Sequence, residues 1–264
     1  MSLISRISKY ESLHIYSFSK EEIANESGLS DVALTSALGR LNEKGEVFSL
    51  RKGYYLIVPP KYRLLGQLPL ELFANRMFQW LNKPYYISLL SAASFHGASH
   101  HAIQKDFIIV QPPALRNINN GPYQIDFFTK KKWPKYGIVN RTSEAGSYKV
   151  SNIALTLLDL INYQNKIGGL GRIAETIQEL SEDLEVEDLI FTISVYDEAS
   201  DVQRLAYLLE LFETDEKILE VLQTWLAKQQ KVNTVKLTPG IAWKKDAPRN
   251  KWRVNVNNEI DIEW

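Results

Sequence analysis

The pattern of apolar positions changes period several times along the chain. Ser19 with Glu22 three residues later has the form of a capping box and predicts a short helix through Ile23, Ala24 and Glu26, ended by Gly28. Ser30 caps a second helix over residues 31–44, with Val32, Leu34, Ala37, Leu38 and Leu41 as its apolar stripe and Gly45 at its end. Residues 47–50 and 54–58 read as strands around the turn Arg51-Lys52-Gly53, and Pro59-Pro60 closes the unit. Helix, tight turn, helix and a two-stranded wing form the order of a winged helix-turn-helix, here at residues 1–62.

Residues 63–264 read as a larger mixed α/β domain, so the predicted fold class is α+β. Pro69 opens a helix carrying Leu70, Phe73, Met77, Trp80 and Leu81. A small-residue helix over residues 89–96 stops at Gly97. Strands follow at 107–110, 123–128, 137–139 and 148–150. Ser151 caps a helix with Ile153, Leu157, Leu160 and Ile161 on one face. Residues 171–228 are helical in pattern, with a capping box at Ser200 to Gln203 and a cap at Thr214. Trp252, Val254, Val256, Ile260, Ile262 and Trp264 alternate, predicting a strand hairpin that turns at Asn257-Asn258.

Charge changes this picture more than composition does. The formal net charge is zero, yet residues 181–230 hold 3 Lys/Arg against 13 Asp/Glu, and residues 67–180 hold 12 against 7. A basic body with one acidic helical block permits a nucleic-acid face. There is no cysteine, which removes disulfides and thiolate chemistry and fits a reducing cytoplasm. No N-terminal apolar run reads as a signal peptide, and no stretch of 18 apolar residues reads as a membrane span.

In a winged helix the second helix offers polar side chains to a groove while its apolar face grips the domain. Ser30, Thr35, Ser36 and Arg40 lie off the apolar stripe and are the expected DNA-binding residues, with Arg51, Lys52 and Tyr54 at the wing. Lys130, Lys131, Lys132 and Lys135, interleaved with Trp133 and Tyr136, form a second candidate surface for a phosphate backbone, and the acidic block would then face away from nucleic acid or meet a protein. The opposing reading of these lysines is a solvated loop. His96, His100 and His101 lack the further ligands a zinc site needs, and no metal or cofactor is expected. Walker and Gly-x-Ser-x-Gly motifs are absent. Gly168-Gly169-Leu170-Gly171 follows a helix and reads as a connection. Gly146-Ser147 with Asp159 shares a pattern with nucleotidyltransferases, but Ile161 stands where a second carboxylate is required. The chain is therefore expected not to be an enzyme.

Three stretches resemble the AbiEi family of type IV antitoxins: residues 22–55, residues 85–97 (Tyr85-Tyr86-Ile87-Ser88 through His96-Gly97), and Val150 through Leu160 followed by Gly168-Gly169-Leu170 and by Arg204-Leu205-Ala206-Tyr207. Ala206 stands where the family usually has Gly. The resemblance implies a phage-defence antitoxin that represses its own operon by binding inverted repeats, as a dimer on DNA. It also implies a nucleotidyltransferase-like toxin, with which a stable direct complex need not form. Residues 63–264 would carry that antitoxin role and residues 1–62 the repressor role. The alternative is a stand-alone regulator whose C-terminal domain senses a ligand.

Overall fold

The computed structural model describes residues 2–98 and 105–258. The fold is α+β and divides into two compact units. The first comprises Met1–Tyr86, Gln104–Lys130 and Asn140–Lys149; the second comprises Ile87–Ile103, Lys131–Val139 and Val150–Trp264.

The first unit opens with α1 (Leu3–Ser12), β1 (Ser17–Ser19), α2 (Lys20–Ser27), α3 (Asp31–Glu43), β2 (Val47–Arg51) and β3 (Tyr54–Ile57). The capping box that opens α2 forms as expected: Ser19 accepts from the Glu22 amide, and the Glu22 side chain accepts from the Ser19 amide. Gly28 ends α2 in the left-handed conformation that glycine adopts at little steric cost. Both α1 and β1 go beyond the sequence reading. Leu3, Ile7 and Tyr10 bury one face of α1. β1 pairs antiparallel with β3, so the sheet order is β1-β3-β2. The core between helices and sheet joins Phe18, Ile23, Leu34, Leu38, Val47 and Ile57.

α4 (Pro60–Arg63) follows. The helix expected from Pro69 is a 3₁₀ turn over Leu70–Leu72 and then α5 (Ala74–Trp80), with Phe73 outside helical geometry between them. The strands β4 (Tyr85–Ile87), β5 (Asp106–Val110), β6 (Ile118–Asn120), β7 (Tyr123–Thr129), β8 (Ile138–Ser143) and β9 (Gly146–Ser151) make a six-stranded sheet in the order β6-β7-β5-β4-β9-β8. β5 and β7 pair in parallel, and β6 pairs antiparallel with β7.

This sheet packs onto the N-terminal elements within the first unit. The rings of Phe48 and Tyr123 lie 4.8 Å apart, those of Tyr54 and Trp80 stack at 4.9 Å, and Arg76 bonds Glu22 at 2.7 Å and the Ser17 carbonyl at 3.0 Å. On α4, Lys61 and Tyr62 both donate to Glu144 at 2.8 Å.

Chiefly through Lys61, and also through Tyr62 and Tyr16, the Glu144 carboxyl is held at about 2, against an ordinary 4.5. A depressed carboxyl contributes stability that is present above the unfolded value and lost as pH falls through the folded one. We expect urea midpoints to fall between pH 4.5 and 2 in the wild-type chain. Glu144→Gln should show a shallower decline over that window. Parallel slopes in the two proteins would contradict the assignment.

The second unit is helical: α6 (Leu89–Phe95), α7 (Ile153–Tyr163), α8 (Leu170–Glu182), α9 (Val186–Ser194), α10 (Ala199–Leu211) and α11 (Glu216–Ala227). α7 is its centre, in contact with α6, α8, α9 and α10, and buries Leu155, Leu157, Leu158, Leu160 and Ile161. Three expected caps shift by one or two residues. Asn152, not Ser151, accepts from the Leu155 amide, and Asp215, not Thr214, accepts from the Lys217 amide. Ser200 lies inside the first turn of α10, where it accepts from Arg204, and Gln203 instead donates to the carbonyls of Asn233 and Trp252. Among the described residues the C-terminal segment forms a parallel pair, β10 (Val235–Lys236) with β11 (Val254–Asn255). The Asn257 side chain ties down the backbone of Thr238, Ile241 and Ala242. Ile260, Ile262 and Trp264 lie outside the described residues.

Candidate nucleic-acid interface

α3 is amphipathic in a way that leaves one face unused. Leu34, Leu38 and Leu41 are buried in the core, whereas Ser30, Val32, Thr35, Ser36 and Arg40 are exposed. Val32 was expected in the apolar stripe, but it is 80% exposed, because that stripe needs only the i, i+4, i+7 positions Leu34, Leu38 and Leu41. Two of the expected contact residues are partly engaged. Ser30 caps α3 by accepting from the Ala33 amide at 3.3 Å, and the Thr35 hydroxyl donates to the Asp31 carbonyl at 2.7 Å. Ser36 and Arg40 have no side-chain partner among the described residues. Val32 beside them leaves an apolar side chain exposed.

The turn between β2 and β3 differs more from expectation. Lys52 is exposed and without a partner among the described residues. Gly53 takes a positive φ of 82° and its carbonyl accepts from the Lys20 amide at 2.8 Å. Tyr54 is 1% exposed: its ring stacks on Trp80 and its hydroxyl donates to Ser17 at 2.8 Å. It belongs to the core and cannot reach a nucleic acid. Arg51 is half-buried with its Nη1 atom enclosed and unpartnered, and desolvation pushes its guanidinium below the ordinary value. β2 is also covered on its flank, where Asn120 donates to the Ser49 carbonyl at 2.7 Å.

The lysine segment is divided between the units: Lys130 falls in the first, and Lys131, Lys132 and Lys135 in the second. Within the second unit, Lys132 pairs with Glu198 at 3.3 Å and Tyr136 donates to Asp188 at 2.8 Å, its ring against Phe191. The acidic block therefore meets this segment at two points. Lys131 and Lys135 remain exposed without a partner among the described residues. His96 bonds the Ser151 carbonyl at 2.8 Å in a structural role; His100 and His101 lie outside the described residues. Among those described, no three potential metal ligands converge, and no helix is long and apolar enough to cross a membrane. Gly168-Gly169 connects α7 and its 3₁₀ extension to α8, as expected of a helix-to-helix link.

Residues 86–211 match the family model of the AbiEi antitoxin C-terminal domain. Over that segment, just under half of the chain, the protein is similar to the AbiEi antitoxins. Its fold is similar to that of the crystal structure of the RV2827C protein from Mycobacterium tuberculosis. The TM-score is 0.63 at 16% identity, covering 94% of this chain and 89% of that one. No curated protein matches the chain.

The stretches that carry the AbiEi likeness meet in the second unit as a buried polar network. Ser88 bonds Asp159 at 2.9 Å and Ser151 at 3.2 Å, and Ser151 bonds Thr156 at 2.7 Å. All four side chains are buried. Leu89, next to Ser88 and fully buried, holds a φ of 57°, a strained value for a branched residue. A buried polar group is tolerated when it is hydrogen-bonded. These residues thus fix how α6, β9 and α7 pack.

Proposed function

We propose that this chain is a bifunctional AbiEi antitoxin: a cytoplasmic DNA-binding autorepressor through a winged helix at residues 1–62, and an antagonist of a nucleotidyltransferase-like toxin through residues 63–264. The observation that carries the repressor half is α3. Its buried leucines anchor it, while Ser36 and Arg40 stand exposed and unpaired beside Val32. A three-stranded sheet behind α2 and α3, ending in an exposed Lys52 at the turn, supports the same reading. Ser30 and Thr35 contribute acceptor oxygens from the N-terminal turn of the helix. Two copies would bind an inverted repeat, each placing α3 in successive major grooves on one DNA face.

The two cationic positions should differ in kind. Arg40→Ala is expected to weaken binding by about 1–3 kcal/mol on the matched site and to relax base preference there. Lys52→Glu should weaken binding on every sequence and lower the salt slope by about 1. Fluorescence anisotropy at several salt concentrations separates these effects; an unchanged slope for Lys52→Glu would remove the wing from the interface. For the antitoxin half, co-expression with the neighbouring toxin gene is the test. Arg40→Ala should derepress a promoter reporter yet still rescue growth. Joint loss of both activities in a folded Arg40→Ala protein would contradict a division of labour.

A further inference from the structure

Residues 231–258 lie beyond the segment matched to the AbiEi domain. They hold seven Lys/Arg and a single carboxylate, Asp246. In the second unit these residues enclose a cavity of about 630 Å³ whose lining includes Thr234, Trp243, Lys245, Arg249, Asn250 and Arg253, with no carboxylate among the described lining residues. That volume falls in the range of about 300–1,000 Å³ typical of small-ligand sites.

Three features separate this cavity from a solvated basic loop. Trp243 is 50% exposed at its wall, while Trp252 nearby is fully buried and bonded to Glu210 at 2.7 Å. An indole left half in water is unusual unless it has a surface to meet. Lys245 and Arg249 have no partner among the described residues, although elsewhere in this unit Arg204 and Lys251 are paired with carboxylates. The walls are also braced. Asn255 bonds both the amide and the carbonyl of Lys244, next to Trp243, at 3.0 and 2.8 Å. Asn250 bonds both the amide and the carbonyl of Val254, and Arg253 donates to the Val232 carbonyl. The ring and the two free cations are thus mounted on a rigid frame.

We propose that this cavity binds an unpaired nucleotide, its base stacked on Trp243 and its phosphate held by Lys245 and Arg249. A flat indole and separate cations match a base plane and a phosphate, whereas duplex DNA hides its base planes in the stack. The nucleotide could be free or part of a single strand; the chemistry at the site is the same. The proposal stands apart from operator binding by α3.

The test uses the full-length chain and a short fluorescein-labelled single-stranded RNA, read by anisotropy, with ATP and poly-glutamate as competitors. Trp243→Ala is expected to weaken binding on the order of tenfold or more. The double change Lys245→Glu with Arg249→Glu should weaken it and flatten its salt dependence. Arg40→Ala should leave it unchanged. All the altered side chains are exposed, and circular dichroism confirms that each variant is folded. Displacement by ATP identifies a free nucleotide as sufficient, and failure of ATP to displace identifies a strand; each supports the site. Absence of RNA binding, undiminished binding by Trp243→Ala, or equal displacement by poly-glutamate overturns it.

Discussion

Asp201→Ala is expected to destabilise the second unit by about 3–5 kcal/mol, the penalty typical of breaking a buried ion pair from one side. Asp201 and Arg204 pair at 2.9 Å with side chains only 3% and 12% exposed. The same carboxylate accepts from Asn162 at 2.6 Å and from Tyr196 at 3.2 Å. Arg204 in turn donates to the Lys236 carbonyl, which joins β10 to α10. Removing Asp201 leaves a largely buried cation without its carboxylate and takes an acceptor from Asn162 and Tyr196. Burial and the neighbouring carboxylates already push the Tyr196 hydroxyl well above its ordinary value, so it stays a neutral donor that has lost the Asp201 acceptor. Urea unfolding measures the effect. A loss below about 1 kcal/mol would show that water replaces the lost acceptor and that the network is not closed.

Deleting residues 1–64 is the second change of large expected effect. A boundary near residue 62 suggests that the remainder would fold and act alone. However, the compact unit that contains α1 to β3 also contains β5, β6 and β7 and parts of β4, β8 and β9. The deletion would strip Glu22 and Ser17 from Arg76, Tyr54 from Trp80, and Phe48 from Tyr123. It would also leave Asn120 without the carbonyls of β2. Several large aromatic faces would enter water, each worth on the order of 1.5–3 kcal/mol when buried. We expect the 65–264 fragment to bind a hydrophobic dye, lose near-ultraviolet circular dichroism and aggregate. A soluble, cooperatively unfolding fragment would contradict this. Separation of repression from antitoxin action is therefore better tested by exposed substitutions on α3 than by truncation.

What the sequence could reveal depended on how local the cause was. The cap at Ser19, the stop at Gly28 and the 13-residue α3 follow from short-range rules, and all appear where spacing placed them. α1 was legible too, since Leu3, Ile7 and Tyr10 have helical spacing and Ser2 supplies a cap. β1 was not. Its Ser-Phe-Ser sequence is buried throughout, because Ser17 and Ser19 are satisfied by Tyr54 and by the cap of α2. Tyr54 was misplaced for the same reason. Its exposure is set by Trp80, a residue far along the chain whose approach no local pattern encodes. The one- and two-residue shifts in caps arise because neighbouring Ser, Thr, Asn and Asp can all cap, and packing selects among them. The basic cavity around Trp243 left a trace in the interleaving of Trp and Lys/Arg over residues 243–253, but the enclosing bonds from Asn250 and Asn255 are tertiary.

The central claim, that α3 reads DNA, is tested most directly by titrating the full-length chain against the DNA upstream of its own gene. A scrambled duplex of the same length and Arg40→Ala protein serve as controls at one fixed salt concentration. The account predicts tighter binding to the upstream DNA than to the scrambled duplex. It also predicts that Arg40→Ala reduces that preference by roughly 5- to 150-fold, the equivalent of about 1–3 kcal/mol. Equal affinity for the two duplexes, or an unaltered preference in Arg40→Ala, would contradict it.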